Sequence, residues 1–162
     1  MALNFDSRIS AFEQLGLWLE HFLKEVENNR FTDDFNSEFQ AIIERQSREN
    51  GWFTQYNIYS SLAAIRDNLQ AESLNNLMFV YGNRIATSWQ EKIVAVVTGA
   101  FFPLVSFYDF MVVLLTGNVL QIKLHADDKL LLPKIAQKLM EIEPDFSEKI
   151  QFVDQLHDFE RV

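Results

Sequence analysis

Lys123 closes the stretch Lys92 to Lys123, KIVAVVTGAFFPLVSFYDFMVVLLTGNVLQIK, which reads as strand, turn, helix, turn, strand. Units of this kind bind nucleotides, because ligands of open α/β sheets sit beyond the carboxyl ends of the strands. Lys123 is therefore either a ligand contact or a solvated lysine that ends a strand. The turn from Thr98 to Pro103, in which Gly99 permits close backbone approach, either borders such a ligand or is an ordinary strand-to-helix connection. No GxGxxG fingerprint is present, so a standard pyrophosphate loop is not supported. The chain has no cysteine, which excludes a disulfide, a thiolate metal site and a cysteine nucleophile within these residues. His21, His125 and His157 share no ligand spacing, so no zinc site is expected. His125 alone falls near the strand ends, and it reads most simply as an exposed loop residue. Asp109, inside an apolar helix, is expected to be a packing carboxylate satisfied by a backbone or tyrosine partner rather than a catalytic group. The acids from Glu141 to Glu148 flank a proline and read as a solvated loop.

The elements that would hold these residues follow from periodicity. From Ser7 to about Glu27, apolar residues at Ile9, Phe12, Leu15, Leu19, Phe22, Leu23 and Val26 mark one helical face, with Asp6 or Ser7 as the cap. Further helices are expected over Asn36 to Arg48, Gln55 to Asn68 behind a Thr54 cap, and Glu72 to Tyr81, with Gly82 as a stop. Trp89 is a candidate anchor for the helical part. Apolar residues at helical spacing are core far more often than a ligand groove, so the aromatic side chains of the first 90 residues are assigned to packing. Beyond Lys92 the pattern changes. Ile93 to Val97 is an apolar β-branched run expected to be covered on both faces, followed by a helix over Leu104 to Leu115 and a strand over Val119 to Lys123. A helix capped by Asp127 or Asp128 and running to about Glu141, then a strand over Ile150 to Val153, complete a βαβαβ order and hence parallel strands. The fold class is α/β, with a helical region over 1–90 and a dinucleotide-binding type of α/β region over 91–162.

A net charge of −9 with no dense basic run argues against nucleic acid as a partner. Ile93 to Leu120 is apolar over more than the roughly 20 residues of a membrane helix. Gly99, Pro103, Asp109 and the Thr116-Gly117-Asn118 break it up, so no membrane span is expected. The first residues carry no secretory pattern, which points to the cytoplasm. Three parallel strands leave sheet edges that stable proteins cover or extend, so the chain is expected to be the N-terminal portion of a longer polypeptide.

An ordered set of short motifs goes further. Val94-Ala95-Val96-Val97, Pro103 to Phe110, Leu114 to Asn118, Lys123-Leu124, Leu131-Leu132-Pro133 and Ile142 to Phe146, with Trp52-Phe53-Thr54 upstream, resemble the acyl-CoA reductases of the aldehyde dehydrogenase superfamily, the type that supplies fatty aldehyde in bacterial luminescence. The resemblance implies a doubly wound parallel sheet of aldehyde-dehydrogenase type and reduction of a fatty acyl thioester, such as acyl-CoA, by NADP or NAD chemistry in the complete enzyme. It places Lys123 at the adenosine ribose of the cofactor and Thr98, Gly99 and Pro103 beside its nicotinamide end. A homo-oligomer is compatible with it. The family's cysteine is expected beyond Val162, so this chain alone should be inactive. Phe101 stands where relatives carry an asparagine that donates to the developing oxyanion, a donor typically worth about 3 kcal/mol. The alternative is a binding or assembly module that kept the fold and lost the chemistry.

Overall fold

Asn4 accepts a hydrogen bond from the Ser7 amide at 2.8 Å and so starts helix α1, Phe5–Glu27, earlier than the expected Asp6 or Ser7 cap. An asparagine side chain at this position satisfies one of the four free amides of a helix start, and Asp6 then adds a favourable charge in the first turn. Asp33 caps α2 (Asp34–Glu49) on the Asn36 amide, and Thr54 caps α3 (Gln55–Asn68) on the Asn57 amide as its sequence position indicates. Helix α4 (Ala71–Ala86) runs through Gly82, which therefore does not stop it; a helix-interior glycine costs only about 1 kcal/mol. Strand β1 (Ile93–Val97), α5 (Phe107–Leu115), β2 (Val119–Lys123), α6 (Leu131–Ile142), a 3-10 turn (Pro144–Glu148) and β3 (Ile150–Phe152) follow. The computed structural model describes residues 3–86, 90–99 and 101–156. Trp89 and His157 lie outside the described residues.

The helix ends are written in the sequence with equal economy. After α1, the amides of Asn29 and Arg30 return to the carbonyls of Val26 and Glu25, with Asn29 at φ 49°. After α5, the amides of Gly117 and Asn118 return to Leu114 and Val113, with Gly117 at φ 81°. Both are left-handed helix stops, and only glycine or asparagine adopts that backbone cheaply. A side chain at Gly117 would in addition press within 2.8 Å of the Arg8 guanidinium.

The three strands are parallel in the order β1-β2-β3. In the register, Val94 lies beside Leu120 and Leu120 beside Ile150, Val96 beside Ile122 and Ile122 beside Phe152, and Val97 beside Lys123. The face bearing Val94, Val96, Leu120, Ile122 and Ile150 joins the buried cluster formed with the helices. Crossovers of the usual right hand, applied to an unreversed strand order, put α5 and α6 on that one face. The expectation that β1 is covered on both faces does not hold, because it is the outer strand among the described residues, is only half-buried over Ile93–Val96, and leaves Val97 65% exposed. The protein is thus mixed helix and sheet, mostly helical, with a small parallel sheet. Among the described residues no helix is long and apolar enough to cross a membrane.

One core unites helices and sheet. Phe12 of α1 meets Phe110 of α5 at 6.4 Å and Phe146 of the 3-10 turn at 5.8 Å, both edge-on, and all three side chains are fully buried. On the same helix Trp18 and Phe22 close on Phe39 of α2 at 5.5 and 4.9 Å. Gly16 lets α1 approach α3 so closely that a Cβ there would stand 2.8 Å from the Leu69 Cβ and 3.1 Å from its carbonyl. Backbone cannot yield as a flexible side chain can. Gly16→Ala is expected to lower the unfolding free energy by about 2 kcal/mol, through overpacking that outweighs the helix-propensity gain, as checked by the urea midpoint at constant m-value.

Candidate functional site

The carboxyl ends of the three strands come together with the two loops that follow β1 and β2. Thr98, directly after β1, is buried; its amide donates to the Lys123 carbonyl at 3.0 Å, and its Oγ1 accepts the His125 amide at 2.7 Å. The threonine therefore ties the two strand ends together and has its hydroxyl oxygen engaged as an acceptor. Gly99 follows with an ordinary, not left-handed, φ, and a Cβ there would meet the Phe101 ring at 3.8 Å. Phe101 and Phe102 stand out from the loop at 83% and 66% exposure, whereas Pro103 is buried. Lys123 is exposed at the end of β2 and lines a cleft of about 330 Å³ with Leu124, Ala126, Lys129, Phe152, Val153 and Asp154. The Val153 amide extends the ladder to the Ile122 carbonyl at 3.0 Å, which brings Asp154 to the cleft beside β2.

Of the residues singled out in the sequence, Lys123 thus reaches a cleft, and Thr98 is joined to Lys123 through the backbone. Gly99, Phe101 and Pro103 are not among the residues lining that cleft. Asp109 is exposed in the first turn of α5, where its charge complements the helix dipole, so it is not the buried packing carboxylate the apolar context suggests. His125 is a half-exposed loop residue whose Nδ1 accepts the Asp127 amide at 3.2 Å. Among the described residues no three histidine, aspartate or glutamate side chains gather as a metal site would require.

The loop between β2 and α6 holds what periodicity did not reveal. Neither Asp127 nor Asp128 caps α6; the cap position is Leu130, with no side-chain hydrogen bond. Pro133 in the first turn leaves one fewer amide in need of a partner. Asp128 instead turns inward. It is 5% exposed, and its Oδ1 has no hydrogen-bond partner among the described residues. Leu104, in the loop after β1, is also buried, at φ 59°, a left-handed backbone that costs a leucine about 1–2 kcal/mol. It cannot belong to a helix, which is why α5 starts at Phe107 and not at Leu104. Gln46 of α2, also buried, donates to the Asp127 carbonyl at 2.7 Å and fastens the same loop to the helical part. The signal that could have found Asp128 is the pair of acids before an already proline-led helix, one more than a cap requires.

Burial pushes the Asp128 carboxyl up to about 6, and the Leu104 amide and the His125 charge only partly oppose this. Lys129 adds a second ammonium beside Lys123 at the cleft, and Asp154 supplies an acceptor at its rim. Such a constellation suits a ligand that carries both anionic or hydroxyl-bearing groups and an apolar surface to lie against Leu124, Phe152 and Val153. No family model matches the chain, and neither a curated protein nor a solved structure does.

The raised Asp128 carboxyl has a defined linkage. The folded state holds this proton more tightly than the unfolded chain, so its contribution is fully favourable below about pH 4 and is lost as pH rises to about 6. Asp128→Asn removes the charge that burial penalises. The stability advantage of the variant over the parent is expected to grow by on the order of 3 kcal/mol between pH 4 and pH 7, measured by urea unfolding across that range.

Proposed function

We propose that the chain is part of an NAD(P)H-dependent acyl-CoA reductase acting on fatty acyl thioesters, and that the cleft at Lys123 receives the adenosine end of the dinucleotide. The observation that carries this reading is the exposed Lys123 ammonium at the carboxyl end of a parallel strand, facing a cleft that also holds Lys129 and Asp154. The two ammonium groups suit ribose hydroxyls and a phosphate, and the Asp154 carboxylate suits a ribose diol. Leu124, Phe152 and Val153 offer an apolar wall for a base. At about 330 Å³ the space fits one half of a dinucleotide rather than the whole. The aldehyde-dehydrogenase type of doubly wound sheet belongs to this proposal, as does a cytoplasmic setting.

A bound reduced nicotinamide would supply hydride to an acyl thioester. What these residues contribute is binding and orientation. Thr98 fixes the spacing between the end of β1 and the loop after β2, so that the turn at Gly99 leaves the sheet at a set angle to the Lys123 cleft. The sulfur nucleophile of the chemistry is not among these 162 residues, and no other side chain present equals a thiolate in acyl transfer. Phe101 offers no hydrogen bond to an oxyanion, and its ring stands in solvent.

A second reading, a binding or assembly module that retained the fold, is favoured by one observation. Val97, Phe101, Phe102, Val105 and Tyr108 are all at least half exposed and close in sequence, an apolar surface of the kind proteins use for contact. Dinucleotide titration separates the two. NADPH or NADH is expected to perturb the NMR signals of Lys123, Lys129 and Asp154 saturably, and Lys123→Ala is expected to weaken the binding at least about tenfold, the value of one charge-assisted hydrogen bond. Equal affinity in the variant, or no saturable perturbation in the parent, would remove the cofactor reading and leave the module.

A further inference from the structure

β1 gives one side of its backbone to β2 and leaves the other open. The Thr98 amide donates to the Lys123 carbonyl and the Lys92 carbonyl accepts the Val119 amide, so Lys92, Val94, Val96 and Thr98 turn their backbone groups towards β2. The amide and carbonyl of one strand residue point the same way, and successive residues alternate. Ile93, Ala95 and Val97 therefore direct their amides and carbonyls outward, where no described strand pairs with them. Stable proteins defend such an edge with lysine, proline or a bulge. None of these occurs from Ile93 to Val97, whose pairing with β2 is continuous. The whole stretch from Ile93 to Asn118 carries a single charge, Asp109.

The apolar surface continues above this edge. Helix α5 touches both β1 and β2, and α1 touches both α5 and α6. Because α6 follows β2, it lies on the far side of α5 from the outer edge of β1. The side of α5 left uncovered thus overhangs that edge, and it presents Tyr108 and Val112, one helical turn apart, both exposed.

We propose that this edge pairs with the same edge of a second copy of the chain, antiparallel and centred on Ala95, so that the two sheets run on as one. Ala95 then faces the partner's Ala95, and Ile93 faces the partner's Val97. All of these residues have their open backbone groups pointing across, so each facing pair exchanges both of its hydrogen bonds. The two-fold axis stands upright on the sheet and puts both α5 helices on one face. With strands about 4.8 Å apart and each α5 seated over its own β1 and β2, the two helix axes come to lie about 10 Å apart. Helices pack at about 8–10 Å, so Tyr108 and Val112 meet their own copies as the strands join. A second copy fits better than a polar or charged partner, because a surface with one charge offers such a partner nothing to pair with, whereas it complements itself. The exposed rings of Phe101, Phe102 and Tyr108 supply on the order of 400 Å², and with the valines and the strand edge the face nears the roughly 800 Å² per copy of a stable dimer. The pairing rests on the assembly reading and names its occupant; it uses no residue of the Lys123 cleft, so dinucleotide binding stands or falls separately.

The test is sedimentation equilibrium of the whole 162-residue chain, with hydrogen exchange on the same samples. A species of twice the 18.9 kDa chain is expected, with a dissociation constant of about 10 μM or below. Added salt should tighten it by screening the net charge of −9 on each copy. Amide protection at Ile93, Ala95 and Val97 should rise with protein concentration. Ala95→Pro removes an outward amide that β2 does not use, a change tolerated on an edge strand, and should weaken association at least about tenfold with circular dichroism unchanged. Tyr108→Lys should weaken it to a similar degree through like charges brought together on α5. A monomer at every concentration overturns the pairing, as does a dimer whose three edge amides stay unprotected or whose affinity survives both substitutions. Where Ala95→Pro does not fold, Tyr108→Lys and the edge amides of the parent chain decide, and full affinity in that variant or concentration-independent exchange overturns it.

Discussion

The buried edge of α1 is the constraint on which the rest depends. Phe12 on that edge reaches both Phe110 and Phe146, so the helical part and the sheet part share one apolar cluster. Each such ring is worth roughly 2–3 kcal/mol of burial. Gly16 permits the close crossing with Leu69, and Trp18 and Phe22 bind α2 a turn further on. Helix α6 docks beside them with two ammonium groups on one ring, Lys134 and Lys138 lying 4.0 and 3.9 Å from the centre of Phe35. The short sheet does not stand alone. A three-stranded parallel sheet needs a covered face, and the helices packed on Leu120, Ile122 and Ile150 provide it.

Two buried carboxylates show how differently this frame treats charge. Glu25 lies between α1 and α2, and burial alone would raise its carboxyl. The side chains of Thr32 and Asn36, the Thr32 amide and the His21 charge outweigh that and bring it below the ordinary value. Its stabilising contribution is present at neutral pH and is lost on acidification. Asp128 has an unpartnered oxygen among the described residues, so burial dominates and the sign is reversed. The fully bonded group closes the α1–α2 turn; the under-bonded one lies where the loops beyond the strands meet. The left-handed Leu104 falls in the loop after β1, and among the described residues the helical part has a positive φ outside glycine only at the helix-ending Asn29.

Much of this was legible in the residues. Three-and-four spacing fixed α1 and α3 closely, Thr54 identified its own cap, and apolar runs located β1, β2 and β3 to within a residue or two. Parallel pairing followed from the alternation of strand and helix. What escaped was decided by contacts distant in sequence. Leu104 looks helical in its apolar neighbourhood, yet its backbone is left-handed and its side chain is buried in the common core. Asp128 looks like a cap because acids before helices usually are caps, and nothing local shows that it turns inward. β1 reads as doubly buried because five apolar residues in a row do not disclose whether a strand is central or outer. Asp109 reads as buried for the same kind of reason: an apolar helix has an outer face too. For the site, the position of Lys123 at a strand end was legible and its cleft was not, since Lys129, Phe152 and Asp154 come from two other segments.

The unity of helices and sheet through α1 is tested most directly by native-state hydrogen exchange on the parent chain and on Phe12→Ala. Amides of Leu15 and Leu19 in α1 and of Leu120 and Ile122 in β2 should open with one common free energy in the parent. The substitution should lower both sets together, by about 4 kcal/mol as for a fully buried phenylalanine. Loss of protection in α1 with β2 unchanged would contradict a shared core and show the sheet standing without the helix on which this account rests it.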